Sequence, residues 1–148
     1  MPDLSSISSG GRGKMKAMPV QAKMGIAAQD NTWVEEAHQI ARSLWNSLSP
    51  KERKDGKERQ LRNIQSVAEE TPCWNALALF IRYQAARGEI PKGWAENTVS
   101  RLEGLQQQAK KIASRVRGAD EKAIHMEIVA RVLGYAVRWH VWDVKGGS

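Results

Sequence analysis

Apolar residues recur at three- and four-residue steps from Asp30 to the end of the chain, which is the period of amphipathic helices. We count five such segments, separated by short breaks. No alternating strand pattern of useful length and no long internal repeat competes with them. The pattern therefore predicts an all-α fold, in which a compact bundle of about five helices forms one domain over residues 30–148.

Local signals indicate where the first two helices begin. Thr32 and Glu35 have the spacing of a capping box at the start of the first helix, which ends before Pro50. Asp55 and Glu58 have the same spacing at the start of the second helix. The sequence leaves residues 50–57 open between a turn and an irregular first helical turn.

The last three helices carry clearer boundaries. Thr71 and Pro72 predict the start of the third helix, and Gly88 its end. The fourth helix has the most regular apolar stripe and stops at Gly118. Asp120 is placed to cap the fifth helix, whose apolar residues cover more than one side. We therefore expect the fifth helix to be central.

The N-terminal 29 residues differ from the rest of the chain. They are rich in Gly and Ser and contain the single acid Asp3. The basic residues of this stretch are Arg12, Lys14, Lys16 and Lys23. Such a composition buries too little apolar surface to offset the entropy of ordering the chain. We therefore expect residues 1–29 to form a flexible basic arm.

Composition narrows the choice of partner. The 148 residues include 23 Lys and Arg against 16 Asp and Glu, a formal net charge of +7. This excess favours a polyanion, with nucleic acid ahead of a membrane surface. The single cysteine, Cys73, cannot form an internal disulfide, and no apolar stretch approaches the length of a membrane span. We expect a cytoplasmic protein without a membrane partner.

Catalytic and metal chemistry find little support in the sequence. Glu35 and His38 form half of the Glu-x-x-His motif of di-metal bundles, but the second copy is missing because Glu121 and His125 have the wrong spacing. His140 lies between two tryptophans, where a packing role is the usual one. Phosphate-binding glycine loops and nucleophile elbows are absent. We therefore expect no enzyme activity, no metal and no cofactor.

The basic residues are the remaining candidates for a functional surface. They are spread over several helices, which favours contacts to nucleic-acid phosphates over base reading. The alternative is a merely solvated face, since cations at a helix C-terminus also complement the helix dipole. The candidate nucleic-acid-binding residues are Arg59, Arg62, Arg82, Arg87, Lys110, Lys111, Arg115 and Arg117.

Three tryptophans have distinct expected roles. We expect Trp74 in the core, and Trp94 and Trp142 as anchors of a protein interface. Two other functions stay open at this point. The second and third helices, joined through residues 70–72, could act as a helix-turn-helix of a DNA-binding regulator. The positive charge could instead serve a protein-interaction adaptor.

Three stretches carry a family resemblance that covers roughly residues 55–140. Residues Glu58–Ile64, Phe80–Arg87 and Glu127–Tyr135 resemble helices of the small-subunit family of CRISPR type III effector complexes. The resemblance implies an all-helical, non-catalytic RNA-binding subunit of an antiviral defence ribonucleoprotein. Its partners would be guide and target RNA, other effector subunits and copies of itself. By the same resemblance, the RNA-proximal or structurally important positions are Arg62, Tyr83 and Arg87.

Overall fold

The structure is a computed structural model that describes residues 17–146. All regular elements within this range are helices, so the predicted all-α class is confirmed. The helices are α1 (Val20–Ala27), α2 (Asp30–Ser47), α3 (Pro50–Asp55), α4 (Glu58–Glu70), α5 (Trp74–Ala86), α6 (Lys92–Gly104), α7 (Gln106–Ala113) and α8 (Glu121–Lys145). They outnumber the expected five because α1 and α3 are additional and the predicted fourth helix is divided.

The long helix α8 forms the centre of the bundle, as its apolar pattern predicts. It packs against α2, α4 and α7. Its side chains are buried at every turn, from Ile124 and Ile128 to Val132 and Ala136. At 1.5 Å per residue its 25 residues extend about 37 Å. Opposite ends of α8 therefore carry well-separated surfaces.

Helix α1 corrects the predicted boundary of the basic arm. Ala22 and Ile26 are fully buried, and the indole nitrogen of Trp33 donates a hydrogen bond to the Ile26 carbonyl at 2.7 Å. A Cβ atom on Gly25 would lie 3.2 Å from the Ile112 side chain. Residues 17–29 therefore belong to the helical body, and the prediction of a flexible arm is wrong for them. The rest of the predicted arm, residues 1–16, lies outside the described residues.

The predicted capping boxes of the first two helices are wrong. Helix α2 begins at Asp30, so Thr32 lies inside its first turn. The N-cap of α4 is Lys57, which makes no side-chain cap, so Asp55 has no such role. In both places the helix begins at a residue other than the one with the preferred capping side chain.

A capping box occurs instead at Ser49, where it starts α3. The Ser49 hydroxyl accepts from the Glu52 backbone N–H at 3.2 Å, and the Glu52 carboxylate accepts from the Ser49 backbone N–H at 2.9 Å. Pro50 occupies the first helical position, where its missing N–H costs nothing. The open segment 50–57 thus contains a short helix.

Later boundaries agree more closely with the sequence. Helix α5 begins at Trp74 with Cys73 as its N-cap, so the predicted start at Thr71 and Pro72 is too early. The Thr71 hydroxyl accepts from the Cys73 backbone N–H at 3.1 Å and so stabilises the turn before the helix. Gly88, with φ of 81°, directly follows Arg87, the C-cap of α5. Gly118, with φ of 76°, lies in the connection after α7, which ends at Ala113. The Asp120 side chain accepts from the Lys122 backbone N–H and caps α8. The stop at Gly88 and the cap at Asp120 are therefore confirmed. The stop at Gly118 is wrong, because the chain leaves the helix at Ser114 and passes through turns before it reaches Gly118.

One buried hydrogen bond fastens the α3–α4 connection to α8. The backbone N–H of Lys57 donates to Nε2 of the fully buried His140 at 2.8 Å. Gly56 precedes it with φ of 71°, and a Cβ atom there would lie 2.8 Å from Cγ2 of Val144. A glycine is required at this position both for its backbone angle and for the close approach to α8.

Candidate nucleic-acid interface

Arg62 and Arg82 are both engaged by carboxylates. Arg62 donates to Glu58 at 2.7 Å across one helical turn of α4. Arg82 on α5 makes two hydrogen bonds, of 2.9 and 3.1 Å, to Glu96 on α6. This pairing raises the pKa of Arg82 and lowers the pKa of Glu96. Both pairs are solvent-exposed, but these arginines are less available to a phosphate than cations without a carboxylate partner.

Arg87 has a looser set of partners at the C-terminal end of α5. Its guanidinium lies 3.8 Å from the Glu89 carboxylate and 5.5 Å from the ring centre of Tyr83. The residues that the family resemblance marks on α5 therefore contact each other. The carboxylate of Glu89 also accepts from Gln60 at 3.3 Å. Part of the charge of Arg87 is thus used within the fold.

The other four candidates form one exposed group, which we name the basic end of α7. No carboxylate within the described range lies within 4 Å of their charged atoms. They fall within eight residues, at the last turn of α7 and the following connection. The members of the basic end are Lys110, Lys111, Arg115 and Arg117.

Two further cations lie next to the basic end. Helix α1 packs against α7, and Lys23 on α1 and Lys122 on α8 line the same groove as Gly118. Gly118 directly follows Arg117. The cationic surface at this end of the bundle thus extends beyond α7, and it includes Lys23, which the sequence placed in the arm.

Arg59 lies apart from the basic end. It is exposed and has no carboxylate within 4 Å among residues 17–146. Its helix begins beside His140, whereas the basic end lies beside Asp120 at the start of α8. Twenty residues of α8 separate these points, which corresponds to about 30 Å. The sequence candidates are therefore not brought together on a single patch.

A groove of about 810 Å³ begins beside the basic end and follows α8. Its walls are residues 17–19 and the end of α4. It contains three acids, of which Asp120 accepts the cap hydrogen bond and Glu69 accepts from Gln65 at 3.0 Å. Its cations include Arg131, which is bound to Asp30 at 3.0 Å. Small and apolar residues of α4 and α8 form much of the lining, among them Ala68, Ala123, Met126, Ala130 and Gly134.

The burial of the tryptophans differs in part from what the sequence predicts. Trp94 is only 3% exposed, and its indole nitrogen donates to the Ile40 carbonyl at 3.0 Å. The expectation that Trp94 anchors a protein interface is therefore wrong. Trp142 is 59% exposed, as an interface residue requires, but its interface role stays a prediction. Trp74 is partly buried and packs against the core.

Sequence reasoning missed a group of aromatic rings on α8 that includes Trp142. Tyr135, Trp139 and Trp142 lie on one face of α8, and we name them the aromatic row. Their spacing of four and then three residues is the signal that was available. An apolar recess of about 250 Å³ lies between the row and Val34. The Arg138 guanidinium, which also borders the recess, lies 5.5 Å from the ring centre of Tyr135.

Helix α2 supports the aromatic row from one side. The ring of His38 stacks on Trp139, with ring centres 3.9 Å apart and planes 15° apart. The indole nitrogen of Trp139 donates to the Val34 carbonyl at 3.1 Å. Arg42 approaches His38 at 3.5 Å. Trp139 is thus held in place, whereas Trp142 extends into solvent.

The other two histidines are structural. Nε2 of His125 donates to the Leu102 carbonyl at 2.9 Å, and Nε2 of His140 accepts from Lys57. Burial lowers the pKa of both imidazoles because the charged form loses its hydration. Both side chains connect α8 to neighbouring segments and are closed off from solvent.

Residues 17–146 contain neither a cluster of metal ligands nor a membrane-spanning helix. Between residues 17 and 146, no three His, Cys, Asp or Glu side chains lie together as metal ligands would. Cys73 is an exposed free thiol at the start of α5. None of the described helices has both the length and the apolar character needed to span a bilayer.

Comparison with known proteins found no match. No family model, no curated protein and no solved structure matches this chain. The resemblance to the small subunits of CRISPR type III complexes therefore stays a prediction.

Proposed function

We propose that this chain is a non-catalytic, RNA-binding subunit of an RNA-guided ribonucleoprotein, of the kind represented by the CRISPR type III small subunits. The observation that carries the proposal is the basic end of α7. Its four cations are exposed and have no carboxylate within 4 Å in the described part of the chain. Cations without a carboxylate partner lose little free energy when they exchange water for phosphate oxygens, because no ion pair has to be broken.

The geometry favours contacts to the RNA backbone. The cations project from a helix end and the following connection, and long Lys and Arg side chains adapt to phosphates without reading bases. For single strands, the slope of log K against log salt is about −0.7 for each phosphate neutralised. Four contacts therefore predict a slope of about −3.

A DNA-binding regulator is supported less well. Residues 71–73 join α4 to α5 as a helix-turn-helix requires, but the exposed residues that open α5 include no cation. These residues are Cys73, Asn75, Ala76 and Leu79. A recognition helix normally presents polar or basic side chains there.

A protein-interaction adaptor has one observation in its favour. Leu79 and Tyr83 lie one turn apart on α5 and are 67% and 53% exposed. Apolar side chains exposed in this way suit a protein contact. Such a contact also fits a subunit that assembles with copies of itself, so it does not by itself favour an adaptor over the main proposal.

The experiment compares two triple variants that remove the same charge. One variant neutralises the basic end through Lys110→Gln, Lys111→Gln and Arg115→Gln. The control variant neutralises the paired arginines through Arg62→Gln, Arg82→Gln and Arg87→Gln. Binding of labelled single-stranded RNA is measured by fluorescence anisotropy at about 50 mM and about 200 mM salt. We expect the first variant to bind more weakly and to lose about 2 from its salt slope, and the control to lose less.

Each alternative outcome would indicate a different interface or a different function. Equal losses in both variants would show that net charge alone sets the affinity. A larger loss in the control would move the interface to α4 and α5, where the family resemblance places it. Absence of binding by the wild-type chain at about 50 mM salt would favour the adaptor. A strong preference for one duplex sequence would favour the regulator.

A further inference from the structure

We infer that the aromatic row on α8 is a base-stacking site for single-stranded nucleic acid. This inference rests on the proposed function and adds the form of nucleic acid that is bound, a strand whose bases are unpaired. The row shares no residue with the basic end of α7. The two can therefore be tested separately.

The first argument is the exposure and spacing of the rings. Tyr135, Trp139 and Trp142 follow one another at four and three residues, so their backbone positions are about 6 Å and then about 4.5 Å apart along the axis of α8. Trp142 is 59% exposed, and no hydrogen bond or ring contact holds its side chain within the described residues. Tyr135 and Trp139 are partly buried, so Trp142 offers the most open ring and the other two present only their outer parts. Aromatic side chains arranged in this way can stack bases of any sequence.

The second argument is that contacts within the fold already hold the inner side of the aromatic row in position. His38 covers one face of Trp139, and the Val34 carbonyl fixes the indole nitrogen of Trp139. The apolar recess of about 250 Å³ remains beside Trp142. A planar base that enters it meets rings that are already positioned, which lowers the entropic cost of binding.

The third argument is the charge beside the rings. Arg138 and Arg42 flank the row, and no carboxylate within residues 17–146 lies within 4 Å of either guanidinium. Known single-strand sites combine aromatic platforms with cations in this way, because bases and phosphates alternate along the strand. A second copy of this chain fits the surface less well, since each copy carries a net charge of +7.

The fourth argument is continuity with the proposed phosphate site. The groove of about 810 Å³ shares Tyr135 and Arg138 with the recess, and its other end is lined by Lys23 and Lys122. From Lys122 to Trp142 the path follows 20 residues of α8, about 30 Å. One extended strand can therefore contact the basic end with its phosphates and the row with its bases.

The test compares two ligands of equal length and charge, a single-stranded RNA and an abasic sugar-phosphate strand. For the wild-type chain we expect tighter binding of the strand that carries bases. Trp142→Ala is expected to weaken that binding about fivefold or more and to leave the abasic strand unaffected. Trp142→Phe keeps a stacking face and is expected to recover most of the loss.

Two controls separate this inference from the proposed function. Leu79→Ala removes an equally exposed apolar side chain from α5 and is expected to change neither affinity. The triple variant of the basic end is expected to lower the affinity for both strands by the same factor. The ratio of the two affinities should therefore stay unchanged. Equal effects of Trp142→Ala on both ligands, or no effect on either, would overturn the stacking site and favour a protein partner there. The proposed phosphate contacts would survive that result.

Discussion

Mild acid is expected to destabilise this fold through two buried histidines. His125 donates to the Leu102 carbonyl, and His140 accepts from the Lys57 backbone N–H. Protonation of His140 removes the lone pair that accepts this bond, and protonation of either ring places a charge in the interior. Burial lowers the pKa of both side chains in the folded state, as the largest cause of each shift.

The sign of the effect follows from proton linkage. Below the unfolded-state pKa of about 6.5, the unfolded chain binds protons that the folded chain does not. The free energy of unfolding is therefore highest above that pH and falls as the pH approaches the lowered folded-state values. Each histidine contributes a slope of at most about 1.4 kcal/mol per pH unit, so the pair contributes at most about 2.7.

The assay is urea unfolding followed by circular dichroism between about pH 7.5 and pH 5.5, a range chosen to cross the ordinary histidine pKa. Glu52 and Glu96 do not interfere, because their pKa values lie below the ordinary carboxylate value and both stay ionised. His125→Gln keeps a donor for Leu102, and His140→Gln keeps an acceptor for Lys57. Each variant is expected to remove about half of the slope, and the double variant most of it.

A pH dependence that survives in the double variant would refute this reasoning. It would place the titrating groups outside the two buried sites. A rise in stability with falling pH would contradict the direction of both pKa shifts. The two single variants also identify which histidine carries more of the effect.

Two further predictions concern the packing of Gly56 and Ile26. Gly56→Ala is expected to destabilise the fold by clearly more than Gly88→Ala in urea unfolding, because both glycines have positive φ but only Gly56 would bring its Cβ within 2.8 Å of Val144. Equal losses would show that backbone strain alone sets the cost. Ile26→Ala is expected to cost about 2–4 kcal/mol in the same assay, since the side chain is fully buried; a loss below about 0.5 kcal/mol would mean that α1 is not part of the cooperative fold.

The helices with one clearly apolar face were predictable, whereas α1 was not. The all-α class, the central position of α8 and the stop at Gly88 follow from periodicity and turn chemistry. Helix α1 is apolar on both sides, with Ala22 and Ile26 inside and Val20 and Met24 exposed. It therefore has no amphipathic period, and its neighbours in the sequence are rich in Gly and Ser.

The location of Trp94 was recoverable from the spacing of its neighbours. Trp94, Thr98 and Leu102 recur every four residues and are all buried on α6. They extend the apolar stripe of the predicted fourth helix towards its N-terminus as far as Trp94. Pro91 is the N-cap of α6, so the helix that carries Trp94 begins at Lys92.

The ion pairs show why charge counts alone do not define a binding surface. The Arg62–Glu58 pair has i,i+4 spacing and could be predicted from the sequence. The Arg82–Glu96 pair joins residues 14 positions apart and depends on how α5 and α6 pack. Only the fold reveals which cations are already paired, and this moves the best candidates from α4 and α5 to the basic end of α7.

The placement of His140 makes the two experiments on α8 independent of each other. His140 faces the α3–α4 connection and is fully buried, while Trp139 and Trp142 on either side of it border the outer recess. Trp142→Ala removes a side chain that is mostly in water, so it is expected to leave the urea midpoint and its pH dependence nearly unchanged. A loss of RNA affinity in that variant at unchanged stability would therefore report on the stacking surface itself. A large shift of the midpoint would instead mean that Trp142 packs against the body of the protein, and the stacking argument would lose its main premise.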